Sequence, residues 1–153
     1  MQFDRYGRAN AIALLVPAAL MAGALGSQYL GGLYPCEMCH WQRWPHYAAI
    51  ALAIVAIFLK PPIRPVVIAL AALAMMTSGV LGVYHAGVEY QWWAGPACSS
   101  TVAGASLEDL MRAPLVRCDA PQWTLAGISL AGFNALISTL GAFIVLNMIR
   151  RAA

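Results

Sequence analysis

Charged residues interrupt this chain at only a few places, and the pieces between them are long enough to cross a lipid bilayer. Twenty-eight uncharged residues separate Arg8 from Glu37, 16 separate Arg43 from Lys60, 24 separate Arg64 from Glu89 and 30 separate Asp119 from Arg150. A helix rises about 1.5 Å per residue, so a hydrocarbon core of ~30 Å needs roughly 20 residues. Three pieces qualify outright. The second is short, but Arg43 and Lys60 at its ends can snorkel, and its helix can begin before Arg43. The expectation is an all-α integral membrane fold, a single four-helix bundle over residues 1–153 with spans near 10–30, 43–59, 66–87 and 123–148. Composition agrees: 61% of the 153 residues are hydrophobic and 10% are charged, against about 25% charged in soluble domains. A rival reading makes the first run a cleaved leader, with Arg5 and Arg8 ahead of an apolar Ala11–Leu25. The apolar stretch continues to Leu33, longer than a leader needs.

The net charge of +3 is better explained by topology than by an anionic partner such as nucleic acid. Arg5, Arg8, Lys60, Arg64, Arg150 and Arg151 fall on one side of the four spans, opposed only by Asp4. Arg43, Arg112 and Arg117 fall on the other with five of the six acidic residues. The positive-inside rule puts both termini and the Lys60–Pro65 turn in the cytoplasm. The loops near 31–42 and 88–122, and all four cysteines, then face outward, where disulfides persist. All five tryptophans flank the outer span ends, as an interfacial belt would. Within the spans, Ala18, Ala22 and Gly26 repeat at four-residue spacing, as do Gly127, Ala131 and Ala135, which reads as close helix packing in lipid. Asn134 reads as an interhelical hydrogen bond, His46 as a packed histidine and Pro17 as a kink. In the second outer loop, Ser106–Arg112 has an apolar face, a serine that can cap it and acidic residues in its first turn, the pattern of a short amphipathic helix.

Chemistry concentrates in Tyr34-Pro35-Cys36-Glu37-Met38-Cys39-His40-Trp41-Gln42-Arg43. A disulfide closing a four-residue ring contributes only about 2 kcal/mol of stability, against about 3 kcal/mol for a ring of roughly twenty. A C-x-x-C pair is therefore a poor staple and reads as a redox couple or as half of a metal or haem site. Cys98 and Cys118 form a second, wide pair, so two disulfides could exchange with each other. Cys36 sits just before a helix start, where free N–H groups favour a thiolate. Arg43, four residues after Cys39, can stabilise that thiolate or polarise a carbonyl acceptor.

Pro35-Cys36-x-x-Cys39, Arg43, four spans and a cysteine pair in the second outer loop resemble the DsbB family of disulfide bond formation proteins. The segment from Tyr84-His85-x-Gly87-Val88-Glu89 to Gly95-Pro96-x-Cys98 is also similar. The resemblance implies a membrane thiol:quinone oxidoreductase of the bacterial inner membrane. Cys98 would be attacked by a reduced periplasmic dithiol protein of the DsbA kind, with Cys118 as its partner. Cys36 and Cys39 would take the electrons, and Cys39 would pass them to ubiquinone or menaquinone near Arg43 and His85. A quinone suits the energetics, since an oxidant near about −120 mV needs a sink of still higher potential.

Other readings compete. Cys36-x-x-Cys39-His40 is also the haem attachment motif, which would make this a membrane-anchored c-type electron carrier, but it leaves Cys98, Cys118 and Arg43 without a task. A four-cysteine zinc site would normally use two tight pairs. A tetraspan scaffold has no use for a four-residue ring, and a relative of vitamin K epoxide reductase would carry its C-x-x-C in a late span. No metal is expected.

Overall fold

The structure, a computed structural model, describes residues 2–96 and 116–152. Cys98 and the amphipathic helix expected at 106–112 lie outside the described residues. Four helices make up nearly all of the rest: α1 (Gln2–Tyr29), α2 (Glu37–Ile57), α3 (Ile63–Glu89) and α4 (Leu130–Ala152). Three stretches, Tyr6–Tyr29, Ile63–Glu89 and Leu130–Ala152, are long and apolar enough to cross a membrane. The fourth helix, α2, has 21 residues and carries Gln42, Arg43 and His46 in its first half. It begins at Glu37, well before Arg43, because the residue ahead of it is a cap. Cys36 is extended (φ −75°, ψ 170°) and its sulfur accepts the Cys39 N–H at 3.1 Å. Both Pro17 and Pro45 are accommodated inside continuous helices.

The last helix starts at Leu130, not at 123 as the uncharged run suggests. Between them lies a two-stranded antiparallel hairpin, β1 (Thr124–Leu125) and β2 (Ile128–Ser129), with Thr124 opposite Ser129. Its turn residues, Ala126 (φ 52°) and Gly127 (φ 79°), are both left-handed, as a two-residue hairpin loop requires. The Tyr90 hydroxyl holds the hairpin to the end of α3, donating to Gly127 O and accepting from Ser129 N–H, both at 2.8 Å.

One apolar cluster joins Tyr6, Ala9 and Ala13 of α1, Ala53 and Ala56 of α2, Ile68 and Ala72 of α3, and Val145 and Ala152 of α4. Both termini therefore share an end of the bundle with the α2–α3 turn. The α1–α2 connection, the end of α3 and the hairpin occupy the opposite end. Alanine dominates this core because thin side chains let helices approach closely, which is the main attraction available in lipid.

Helices α3 and α4 approach closely at Gly82. A Cβ on Gly82 would stand 2.9 Å from Ala135 N and 3.0 Å from Ala131 O. Ala131 and Ala135 are thus seam residues, whereas Gly127 of the same sequence repeat is a turn residue. The α1 repeat is not a seam: Ala22 is exposed and a Cβ on Gly26 would meet nothing. The buried line of α1 is Ala9, Ala13, Pro17 and Met21. Adding bulk at Gly82 must push two backbones apart. Gly82→Val is expected to destabilise the bundle by about 1–3 kcal/mol, while Gly26→Ala leaves it unharmed. Thermal unfolding of the two variants in detergent distinguishes them.

Candidate active site

The interruption between α1 and α2 folds down onto the end of the bundle. Cys36 is buried, and Cys39, one helical turn on, is partly open. Both are free thiols, with their sulfurs 2.6 Å apart, so a small rotation of either side chain closes a disulfide. Cys36 packs in one apolar cluster with Met38, Val88, Val116 and Cys118. Cys118 is itself disulfide-bonded, and neither Cys36 nor Cys39 is its partner. The fold therefore packs a disulfide-bonded cysteine against a tight pair of thiols.

His85, on the last turn of α3, brings Nε2 to 3.5 Å from Cys36 Sγ and to 3.7 Å from Glu89 Oε1. Glu89 is held from its other side by the Ser129 hydroxyl of the hairpin. Arg43 lies on α2 one turn past Cys39 and reaches across to α1, donating to Gln28 Oε1 at 2.7 Å and to Ala24 O at 3.3 Å. A guanidinium has five N–H groups, so these contacts pin its position without exhausting its donors.

A cavity of about 210 Å³ opens beside the thiols. Its polar lining includes Cys36, Cys39, Gln42, Arg43, His46, His85 and Glu89, and its apolar lining includes Leu20, Met21 and Ala24 of α1 and Leu130 and Phe133 of α4. His46, buried in that lining, has no partner for Nδ1 among the described residues. A cavity with fixed donors at one side, an open acceptor and apolar flanks fits an amphiphile carrying carbonyl or hydroxyl oxygens on a flat head.

Gln42, whose role was open from the sequence, is at the centre of a buried polar network. Its amide contacts Met38 O, His85 Nδ1 and Asn134 Nδ2. Asn134 extends the network to Ser78, His46 and Ser138 at 2.8–3.1 Å. Asn134 is the interhelical bond expected, and His46 is a packed, hydrogen-bonded histidine. Gln28, Ser78, Glu89, Ser129 and Ser138 had no local signal, because nothing in a single helix says which neighbour it will face. His40 is exposed and does not line the cavity, so the haem reading gains no ligand geometry. Cys36, Cys39 and His85 place three metal-ligating atoms within 4.8 Å of one another.

The two thiols differ sharply. The Cys36 thiol is pushed up by sharing its proton with Cys39 and then by burial. Two sulfurs this close cannot both be anions, so the pair loses one proton first; the Cys39 contact and burial leave the other on Cys36, which is not the thiolate that its place before the helix suggested. In the reduced protein, an alkylating reagent at neutral pH is expected to modify Cys39 at least about tenfold faster than Cys36. Cys36 should react appreciably only as the pH rises beyond the ordinary thiol range. Mass spectrometry after partial alkylation reads the order, and the reverse order would put the retained proton on Cys39.

The chain matches the family model described as disulfide bond formation protein DsbB over residues 6–148. It is 30% identical to disulfide bond formation protein B of Methylococcus capsulatus, with 89% of this chain and 90% of the relative covered. It is also 30% identical to disulfide bond formation protein B of a Polaromonas species, covering 95% and 92%. An uncharacterized protein of Rickettsia prowazekii is 24% identical over 88% of this chain and 83% of its own. No solved structure gives a significant match. With the family model matching nearly the whole length and two such relatives 30% identical, the chain belongs to the DsbB family of disulfide bond formation proteins.

Proposed function

We propose that this chain is an inner-membrane thiol:quinone oxidoreductase that re-oxidises a DsbA-like periplasmic dithiol protein. The observation that carries the reading is the shared cavity. Cys39, Arg43 and His85 line one pocket with apolar flanks, and Cys118 packs in one cluster with Cys36 of the same dithiol. Electrons can thus enter at the Cys118 contact and leave into the cavity. The basic residues support an orientation with the cysteines in the periplasm.

The proposed sequence has three balanced exchanges. A reduced partner dithiol attacks Cys98 of a Cys98–Cys118 disulfide; the mixed disulfide resolves, and the partner leaves oxidised while both loop cysteines become thiols. A loop thiolate then attacks Cys36 of the Cys36–Cys39 disulfide, and Cys39 leaves as the thiolate. That order suits the proton-retaining Cys36 and the position of Cys39 at the α2 N-terminus, because a thiol that ionises readily leaves faster. The second loop thiol displaces Cys36, which restores the loop disulfide and leaves Cys36 and Cys39 reduced. Finally the pair re-forms its disulfide, giving up two electrons and two protons. A quinone, ubiquinone or menaquinone, supplies the two-electron, two-proton acceptor when bound.

The protein's own part in the last exchange is electrostatic. Arg43, pinned to α1 by Gln28, holds a positive charge beside Cys39 and can donate to an oxygen in the cavity. His85 offers a hydrogen bond from the α3 side. The apolar walls exclude water and strengthen both.

Two experiments test the reading. Arg43→Ala is expected to lower quinone-reduction kcat/KM by about 10²-fold or more, while the mixed disulfide with the partner still forms. Arg43→Lys should retain part of the activity, since it keeps charge without the planar fork. Unchanged quinone kinetics in Arg43→Ala would remove Arg43 from the site. Cys118→Ala should strand a covalent complex between Cys98 and the partner, seen as a reducible adduct on a non-reducing gel. Trapping by Cys98→Ala instead would exchange the two roles.

A further inference from the structure

The amides of Gln42 and Asn134 have determined orientations, because each faces a backbone carbonyl that can only accept. Gln42 Nε2 donates to Met38 O at 3.2 Å, and Asn134 Nδ2 donates to Ser78 O at 3.1 Å. With both nitrogens so placed, Gln42 Oε1 accepts from Asn134 Nδ2 at 2.8 Å, which is consistent with both assignments. The Gln42 Nε2 group then meets His85 Nδ1 at 2.8 Å. An amide nitrogen donates and does not accept. His85 Nδ1 must therefore present its lone pair, and the proton of the neutral ring sits on Nε2. What faces Nε2 agrees: Cys36 Sγ at 3.5 Å and Glu89 Oε1 at 3.7 Å, both able to accept.

We infer that Gln42 is a positioning residue of this site: by donating to His85 Nδ1 it holds the imidazole as the Nε2–H tautomer, a fixed donor toward Cys36 and the cavity. The opposite tautomer would aim a lone pair at Cys36 and make His85 a base for its thiol. As built, His85 does not take that proton. It can only stabilise negative charge on sulfur or on an oxygen bound nearby. The same tautomer turns the third ligand of the Cys36–Cys39–His85 cluster into an N–H, so the cluster is disarmed as a metal site while Gln42 is in place. The role of Gln42 in turnover rests on the quinone reading above, whereas the tautomer itself does not.

The test uses the full chain in lipid nanodiscs, labelled with 15N-histidine, without quinone and at mildly alkaline pH. The His85 resonances are assigned by their loss in His85→Ala. The wild-type ring should show an unprotonated Nδ1 and a protonated Nε2. Gln42→Met, similar in volume but without the donor, should raise the share of the Nδ1–H form about tenfold, the worth of one hydrogen bond. A wild-type ring protonated at Nδ1 overturns the inference whether or not any variant folds. An unchanged tautomer in Gln42→Met also overturns it. The second arm is a double-mutant cycle on quinone reduction. If Gln42 acts through His85, Gln42→Met costs activity in the wild type and nothing further in His85→Ala. Additive losses would make Gln42 an independent contributor and end its assignment as a positioning residue. Absence of quinone reduction in the wild type would instead defeat the functional reading and leave the spectroscopic result standing.

Discussion

Hydrogen-bond satisfaction of a few polar side chains inside an apolar bundle is the constraint on which the rest of this structure depends. An unpaired amide in such surroundings costs roughly 2–7 kcal/mol. Gln42, Asn134, Ser78, His46, Ser138 and His85 resolve the problem jointly, spanning α2, α3 and α4 with contacts mostly of 2.8–3.2 Å. Apolar packing tolerates sliding and rotation of one helix on another. A chain of directional bonds does not, so this network sets the register of three helices at the depth of the dithiol.

That register has a chemical consequence. Because α3 is fixed against α2, His85 meets Cys36, and because α1 is tied to α2 through Arg43 and Gln28, a cation stands one turn beyond Cys39. The two sulfurs consequently sit in unlike surroundings. Both border the cavity, but Cys36 is buried beside His85 and the Cys118 cluster, while Cys39 is partly open. Thiol exchange has a direction only when the two sulfurs of a disulfide differ as leaving groups, and here packing makes them differ. The glycine seam of α3 against α4 serves the same end, since the approach of Gly82 to Ala131 and Ala135 brings Asn134 within reach of Ser78 and Gln42.

Much of this was legible in the amino-acid sequence. Uncharged runs fix where helices form, because a helix is the only local way to satisfy a backbone in lipid. C-x-x-C spacing places Cys36 and Cys39 together, and i to i+4 spacing brings Arg43 beside Cys39, since both relations are internal to one helix. The start of α4 was misplaced by seven residues because a run of uncharged residues carries no mark for a hairpin as short as Thr124–Ser129. The Ala18–Gly26 repeat likewise looked like a seam, yet which face of a helix is covered depends on its neighbours.

Tertiary structure alone decided the rest. Nothing local pairs Gln42 with His85 across 43 residues, Gln28 with Arg43 across 15, or Asn134 with Gln42 across 92. The polar residue types were visible, but their partners were not, because hydrogen bonds between helices depend on rotation and depth that the whole bundle sets together. The sequence by itself therefore determined a membrane bundle with a C-x-x-C pair at one end and the cation beside it. Packing determined which nitrogen of His85 carries the proton, which sulfur is enclosed and where the cavity opens. The physical reason is range: covalent spacing governs contacts within one turn of helix, and only the assembled fold governs those beyond it.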